Sequence, residues 1–367
     1  MKSSRMIIFA SALFLSIIGI LTIYSSTYQK DTVGWQLIYR RQVFSVLVGI
    51  FFYLLISRLN YRRLWDATYF LYGAAIFLLF LVFVLGAVRL GAQRWLKVGM
   101  LNFQPSELTK IVLIIFLARY FSLKSKYNVS LLTSRLGIMR SFVLPFIFMA
   151  VPVGLIIEQP DLGSGILVFM IFIVIVYLAG IKLRYLLFLF LSIAVSMPVF
   201  WHLLRGYQKN RLLIFLNPEM DPLGAGYTVI QSKIAIGSGG FFGKGWLSGT
   251  QSQLHFLPES HTDFIFATFA EQWGLVGSLL LLSLYALIIV QGFKIALRTQ
   301  DRFGRLLAFG ISIMLAIQVF INIAMNLGLA PVVGIPLPLM SYGGSSLLVT
   351  FLSLGILANI DKTRSVF

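Results

Sequence analysis

The 367-residue chain has no cysteine, which excludes disulfides, thiolate nucleophiles and cysteine-held metals. Histidine is nearly absent, and His202, His255 and His261 show none of the spacings of a metal site. Charged residues make up 11% of the chain, where a soluble domain carries about a quarter. Acids are the scarcer sign, 12 against 30 Lys and Arg. The composition is instead 59% hydrophobic, in repeated runs of the length, about 18 residues or more, that crosses a bilayer. The expected fold is all-α: a polytopic membrane protein.

A net charge of +18 would suggest nucleic acid in a soluble protein. In a membrane protein it is explained by bases flanking the spans on the cytoplasmic side, so no nucleic acid is expected and membrane lipids are. Lys2 and Arg5 precede a first run, Met6–Tyr24, long enough to stay as a helix and followed by no small-residue cleavage site. Ten spans are predicted: Met6–Tyr24, Val43–Ser57, Thr68–Val88, Ser106–Phe121, Phe142–Ile157, Leu162–Gly180, Tyr185–Leu204, Phe264–Phe293, Leu306–Leu327 and Ser345–Ile360. With both termini cytoplasmic, 18 of the 30 bases but three of the 12 acids fall inside, Arg135, Arg140 and Lys182 among those bases. Nine acids are left for the outer side and the spans, and topology requires none of them there. The sequon Asn128-Val-Ser130 falls in a predicted cytoplasmic loop. The chain reads as one integral membrane domain, 1–367, with a large extracytoplasmic loop at 205–263.

That loop is the most polar and glycine-dense part of the molecule. About 58 residues between two membrane helices is far more than a connector needs. Ile230–Gly237 reads as an amphipathic piece along the interface. The stretch Gly237–Asp263 then delivers an acid to the eighth span. Its glycines miss the phosphate-loop pattern, since Ser238 stands where the first glycine belongs and Gly245 where Ser or Thr belongs. The connection 328–344 is rich in Pro and Gly and cannot be regular helix; it should fold back over a cavity lined by protein.

Four acids are candidates. Asp263 follows Ser260 by three residues, a capping-box spacing, so helix capping competes with catalysis at this position. Glu107 and Asp161 follow Pro105 and Pro160 at predicted helix starts, where the helix dipole alone favours an acid. Glu107 and Lys110 are three apart and share a helix face. Glu271 lies about 12 Å further along the helix than Asp263. It reads as an intramembrane acid with a functional role or a hydrogen bond to a neighbouring helix. The bases Arg94, Lys97, Lys110, Arg205, Lys209, Arg211, Lys233 and Lys244 are on the outer side, where topology does not call for them. They are available for an anionic headgroup such as a pyrophosphate, or for pairing with the outer acids.

Several motifs carry a resemblance that covers the whole chain in order. They are Gly91-Ala-Gln-Arg-Trp95, Phe103-Gln-Pro-Ser-Glu-Leu108, Gln159-Pro-Asp-Leu-Gly163, Asp221-Pro-Leu-Gly-Ala-Gly-Tyr227, Gln231-Ser-Lys-Ile-Ala-Ile-Gly-Ser-Gly-Gly240, His261-Thr-Asp-Phe-Ile-Phe266 and Pro336-Leu-Pro-Leu-Met-Ser-Tyr-Gly-Gly344. Together they resemble the SEDS family (shape, elongation, division and sporulation). Gly245-Trp-Leu-Ser-Gly-Thr-Gln-Ser-Gln253 is more similar to its elongation branch than to its division branch.

The resemblance implies a peptidoglycan glycosyltransferase of the bacterial cytoplasmic (inner) membrane. Such an enzyme polymerises lipid II into glycan strands on the outer face and works with a class B penicillin-binding protein and other elongation-complex proteins. It places the catalytic acid at Asp263 and the substrate-binding residues at Arg94, Glu107, Lys110, Asp161 and Lys233. Gln272 stands where a second acid is common in the family. No cofactor is assigned, and a divalent cation is an alternative to Arg94, Lys110 and Lys233 at the departing pyrophosphate. A non-catalytic scaffold of the elongation complex and a flippase for lipid-linked precursors are the rival readings.

Overall fold

The computed structural model describes residues 2–28, 33–89, 92–98, 101–126, 142–181, 183–204, 206–222, 224–254 and 256–364. The sequon at 128–130 and Arg135, Arg140, Lys182, Arg205 and His255 lie outside the described residues.

In hydrocarbon a backbone must satisfy its own hydrogen bonds, and the apolar runs accordingly form helices. In chain order these are α1 (Lys2–Thr27), α2 (Val33–Arg58), α3 (Arg63–Leu85), α4 (Pro105–Lys126), α5 (Leu144–Glu158), α6 (Leu162–Leu178) and α7 (Leu183–Leu203). Then come α8 (Gly206–Leu216), α9 (Ala225–Ser238), the single turn α10 (Thr250–Gln253), α11 (Ile265–Arg298), α12 (Arg302–Asn326) and α13 (Gly344–Arg364). Each of the ten predicted spans falls largely on one of these helices. Six of the helices, α1, α2, α3, α11, α12 and α13, are long and apolar enough to cross a membrane. The protein is an all-α, multi-pass membrane protein.

The helices divide into a buried group and a lipid-facing group. From Ile111 to Ala118 every residue of α4 is at most 4% exposed, because α3, α6, α12 and α13 surround it. By contrast α2, α3 and α7 present Phe51, Phe70, Phe77, Phe188 and Val195 outward, the surface expected against acyl chains. The core thus runs through α4, α6, α12 and α13.

One departure from an all-helical chain is local. The connection between α3 and α4 is an antiparallel three-stranded meander, β1 (Ala87–Arg89), β2 (Ala92–Val98) and β3 (Leu101–Phe103), with Leu96 opposite Phe103 and Lys97 opposite Asn102. Strand alternation puts Arg94 on the same face as Leu96, which is buried.

A second departure is the shape of α11. Its 34 residues would extend about 51 Å, well beyond a hydrocarbon core of about 30 Å. At Gly274 the backbone leaves the helix (φ 65°), and the glycine-rich loop fills the break. Leu275 N and Val276 N donate to Gly240 O and Phe241 O at 2.9 and 3.1 Å, while Lys244 N and Gly245 N donate to the freed carbonyls of Glu271 and Gln272, both at 3.0 Å. Residues 275–298 alone are long enough to cross the hydrocarbon, and the glycine-rich loop packs against the piece before the kink.

Candidate functional site

At one end of the bundle the starts of α4, α6 and α11 meet the 328–344 connection. That connection is irregular, as its prolines require. Asn322 Nδ2 donates to Ile335 O at 2.8 Å, Tyr285 OH to Pro338 O at 2.6 Å, and Leu337 N to Ser341 Oγ at 2.8 Å. Ser341 Oγ in turn donates to Thr262 O at 2.7 Å, and Tyr342 N to His261 O at 2.9 Å. The turn bearing Asp263 therefore rests on a backbone shelf formed by this connection.

Asp263 itself is fixed through its main chain. Its carbonyl accepts from Asn322 Nδ2 at 3.1 Å and Asn326 Nδ2 at 3.0 Å. The capping-box expectation fails here: the cap position of α11 is Phe264, with no side-chain cap hydrogen bond, and Ser260 contributes its carbonyl to Thr268 Oγ1. The residues between Ser260 and Asp263, His261 and Thr262, are bonded to the shelf instead. Among the described residues no donor holds the Asp263 carboxylate. Its pKa is nevertheless raised from 3.8 to about 6, first by burial and then by Glu259, against the opposing pull of Arg211 and Arg94.

The other predicted residues fall into two sets. Arg94 crosses from β2 to the start of α6. Its Nε donates to Gln159 O at 3.1 Å, one Nη to Pro160 O, and Nη1 lies 3.9 Å from Asp161 Oδ1. Asp161 caps α6 through Ser164 N and also accepts from Gln104 Nε2 and Ser106 Oγ, both at 3.0 Å. It is a structural cap and, through its charge, a neighbour that raises the Asp263 pKa. Lys233, on α9, lies across Gly328, where a Cβ would sit 2.1 Å from Lys233 Cε. Gly328 also lines a cleft with Arg211, Val229 and Pro331. Arg94 and Asp161 both act on Asp263 through their charges.

Glu107 and Lys110 do not reach Asp263. They pair with each other at 2.7 Å on α4, at 2% and 1% exposure, one turn into the buried helix. At that exposure neither side chain has an open face in this conformation.

Arg211 is the residue that sequence reasoning placed among the outer bases without singling it out. The structure sets it on α8, close enough to both Asp263 and Arg94 to act on each electrostatically. Burial, followed by Arg94, lowers its pKa. The outer position of Arg211 was visible in the sequence, but nothing local in it signalled a partner 52 residues away.

Glu271 has a different environment. Its Oε1 accepts from Lys244 Nζ at 2.8 Å, Gln251 N at 3.0 Å and Thr250 Oγ1 at 3.1 Å, and the residue is fully buried. It pins the glycine-rich loop to α11. Gln272, at the position where the family often has an acid, donates to Ser25 Oγ on α1 at 2.8 Å.

A multi-pass helical membrane protein with a carboxylate and two guanidiniums gathered at one end of its bundle is the class that fold and site define. The family described as cell cycle protein, FtsW/RodA/SpoVE, matches residues 5–366, and the chain belongs to that family. Peptidoglycan glycosyltransferase MrdB of Escherichia coli (strain K12) is 42% identical over 354 residues, 96% of this chain and 93% of that protein. Probable peptidoglycan glycosyltransferase FtsW of Geobacter sulfurreducens (strain ATCC 51573 / DSM 12127 / PCA) is 35% identical over 365 residues, covering 97% and 94%. Among solved structures, the Thermus thermophilus rod shape determining protein RodA superposes with a TM-score of 0.70 at 30% identity, covering 97% and 96%. A chain from a structure on coordination of polymerization and crosslinking by a peptidoglycan synthase complex gives 0.80 at 34% identity, covering 97% of each.

Proposed function

We propose that the protein is a peptidoglycan glycosyltransferase that joins lipid II units into glycan strands during cell elongation, with Asp263 as general base. The observation that carries the assignment is the state of Asp263: a rigidly placed carboxylate that no described donor occupies, with a pKa of about 6. Such a group is mostly ionised at neutral pH yet still basic enough to accept a proton from a hydroxyl.

In the reaction, Asp263 takes the proton of the acceptor 4-hydroxyl as its oxygen forms a bond to the anomeric carbon of the donor. The bond from that carbon to the pyrophosphate breaks, and the pyrophosphate leaves with the electron pair. An α-linked donor giving a β-linked product is a single inversion and needs no covalent enzyme intermediate. Arg211 and Arg94 face the developing negative charge, with Lys233 at the rim, and fixed cations of this kind stabilise the transition state. The carbonyls of Gln159 and Pro160 and the Asp161 carboxylate, itself held by Gln104 and Ser106, keep Arg94 in place. The buried Glu107–Lys110 pair positions the start of α4 beneath them. Among the described residues no three His, Asp or Glu side chains group to hold a metal.

The same reading makes the chain one membrane domain of ten spans with both termini cytoplasmic and the 205–263 loop and Asp263 on the extracytoplasmic side. That side is where a lipid-linked acceptor strand would lie and where a class B penicillin-binding protein would dock, forming a synthase complex with this chain. The test is polymerisation of purified lipid II by the full-length protein with its cognate penicillin-binding protein, the transpeptidase blocked. Glycan product that disappears with Asp263→Asn is the expected result. Equal product from that variant would reject the assignment of the base, and no product from any intact complex would favour the scaffold or flippase reading.

A further inference from the structure

The end of the bundle opposite Asp263, about 25 Å away along α6, holds a cavity that the reaction does not use. It measures about 370 Å³ and lies between the C-terminal end of α6, at 178–180, Leu297 near the end of α11, and Arg302, Arg305 and Phe309 on the first turns of α12. Arg302 and Arg305 are three apart and share a helix face. Arg302 Nη2 donates to Ala179 O at 3.0 Å, which fixes its guanidinium on the cavity wall.

Among the described residues no acid lines the cavity. The neighbouring acid in sequence, Asp301, caps α12 through Gly304 N at 2.9 Å and accepts from Tyr61 OH at 3.0 Å, so its carboxylate turns toward the α2–α3 corner. The cavity's lip is hydrocarbon: Leu297 is 72% exposed, on a helix end that borders lipid. Two cations with an apolar lip match a phosphate that carries acyl chains better than a free phosphate ion.

We propose that this cavity binds the headgroup phosphate of an anionic phospholipid, with Arg302 and Arg305 on the phosphate oxygens and Leu297 against an acyl chain. Bidentate guanidinium contacts suit phosphate geometry, and basic pockets between membrane helices take anionic headgroups. The ligand would tie together the far ends of α6, α11 and α12. The near ends of these helices carry the Asp161 cap, the Asp263 turn and the asparagines that hold Asp263. Under the proposed orientation the lipid belongs to the inner leaflet.

The test is native mass spectrometry of the purified full-length protein, titrated separately with phosphatidylglycerol, phosphatidylcholine and inorganic phosphate. The expected result is a retained phosphatidylglycerol adduct, no phosphatidylcholine adduct, and no displacement by millimolar phosphate. Arg305→Gln, at an exposed position that should not disturb folding, should weaken the adduct about fivefold, and the double change Arg302→Gln/Arg305→Gln about 25-fold, since each base near an anionic headgroup contributes about 1 kcal/mol. Arg184→Gln, at the same end but turned onto Tyr185, should leave it unchanged. Wild-type affinity in Arg305→Gln, or an equal loss in Arg184→Gln, would overturn the site. Displacement of the lipid by inorganic phosphate would overturn the lipid as its ligand.

Discussion

Glu271 and Asp263 stand eight residues apart at the same end of the same helix, and their surroundings are opposite. Glu271 is fully enclosed, and one of its oxygens receives three donors from the glycine-rich loop. Asp263 is half-buried; its main chain is held by two asparagines while its carboxylate meets, among the described residues, the fields of Arg211, Arg94, Glu259 and Asp161. A buried carboxylate with one oxygen committed to three donors of a loop anchor stabilises the fold. One whose position is fixed from behind and whose oxygens stay open retains its hydrogen-bonding capacity for a substrate proton.

The largest effect that sharpens this contrast is at Asp263. Asp263→Asn should lower lipid II polymerisation about a thousandfold, within the range expected for removing a general base. Its effect on stability should have the other sign. Because the folded pKa is raised above the ordinary 3.8 to about 6, the stability contributed by this group is present below pH 4 and is lost as pH rises through 6. The asparagine variant avoids that loss, so its melting temperature at pH 7.5 should be no lower than wild type. A strongly destabilised Asp263→Asn would make the residue structural and erase the distinction.

Glu271→Ala should do the reverse. It strands a partly buried lysine and frees the loop, at a cost of about 3 kcal/mol, read as a lower melting temperature. Activity per folded molecule should fall far less than in Asp263→Asn. If instead Glu271→Gln kept the melting temperature and abolished polymerisation, Glu271 would join the chemistry. Gly274→Ala tests the other half of the anchor. Its φ is 65°, and a Cβ there would sit 2.4 Å from Gly243 N, so the loop must move. A cost of about 1–3 kcal/mol is expected, with a melting temperature below wild type.

What the sequence made readable follows the range of the interaction concerned. Apolar runs announced the helices because membrane burial acts on each segment separately. The Glu107–Lys110 pair was visible from three-residue spacing, and the prolines of 328–344 from their own geometry. The kink at Gly274 was hidden, because it arises where a loop 30 residues earlier supplies the missing hydrogen bonds. Ser260 and Asp263 formed a persuasive local cap, and the 328–344 shelf overrode it. The resemblance of His261-Thr-Asp-Phe264 to its family pointed to Asp263, whereas the roles of Lys244 at Glu271 and of Arg211 beside Asp263 needed the fold.

The smallest effect concerns Arg211 and sets the two carboxylates apart most finely. Its positive charge and that of Arg94 lower the Asp263 pKa, against the burial and acidic neighbours that raise it. Arg211→Gln removes one of these charges, so the Asp263 pKa should rise above 6 and the acidic limb of the polymerisation rate should move to higher pH. The shift should be below about one unit, because burial is the larger cause and Arg94 stays in place. Arg211→Lys, which keeps the charge, should leave the limb where it is while still lowering the plateau if bidentate contact with the pyrophosphate matters. A pH–rate profile for the three proteins separates these outcomes. An unchanged limb in Arg211→Gln would mean that Arg211 serves the leaving group alone. Neither variant should alter the melting temperature of the Glu271 anchor, whose charge partner is Lys244.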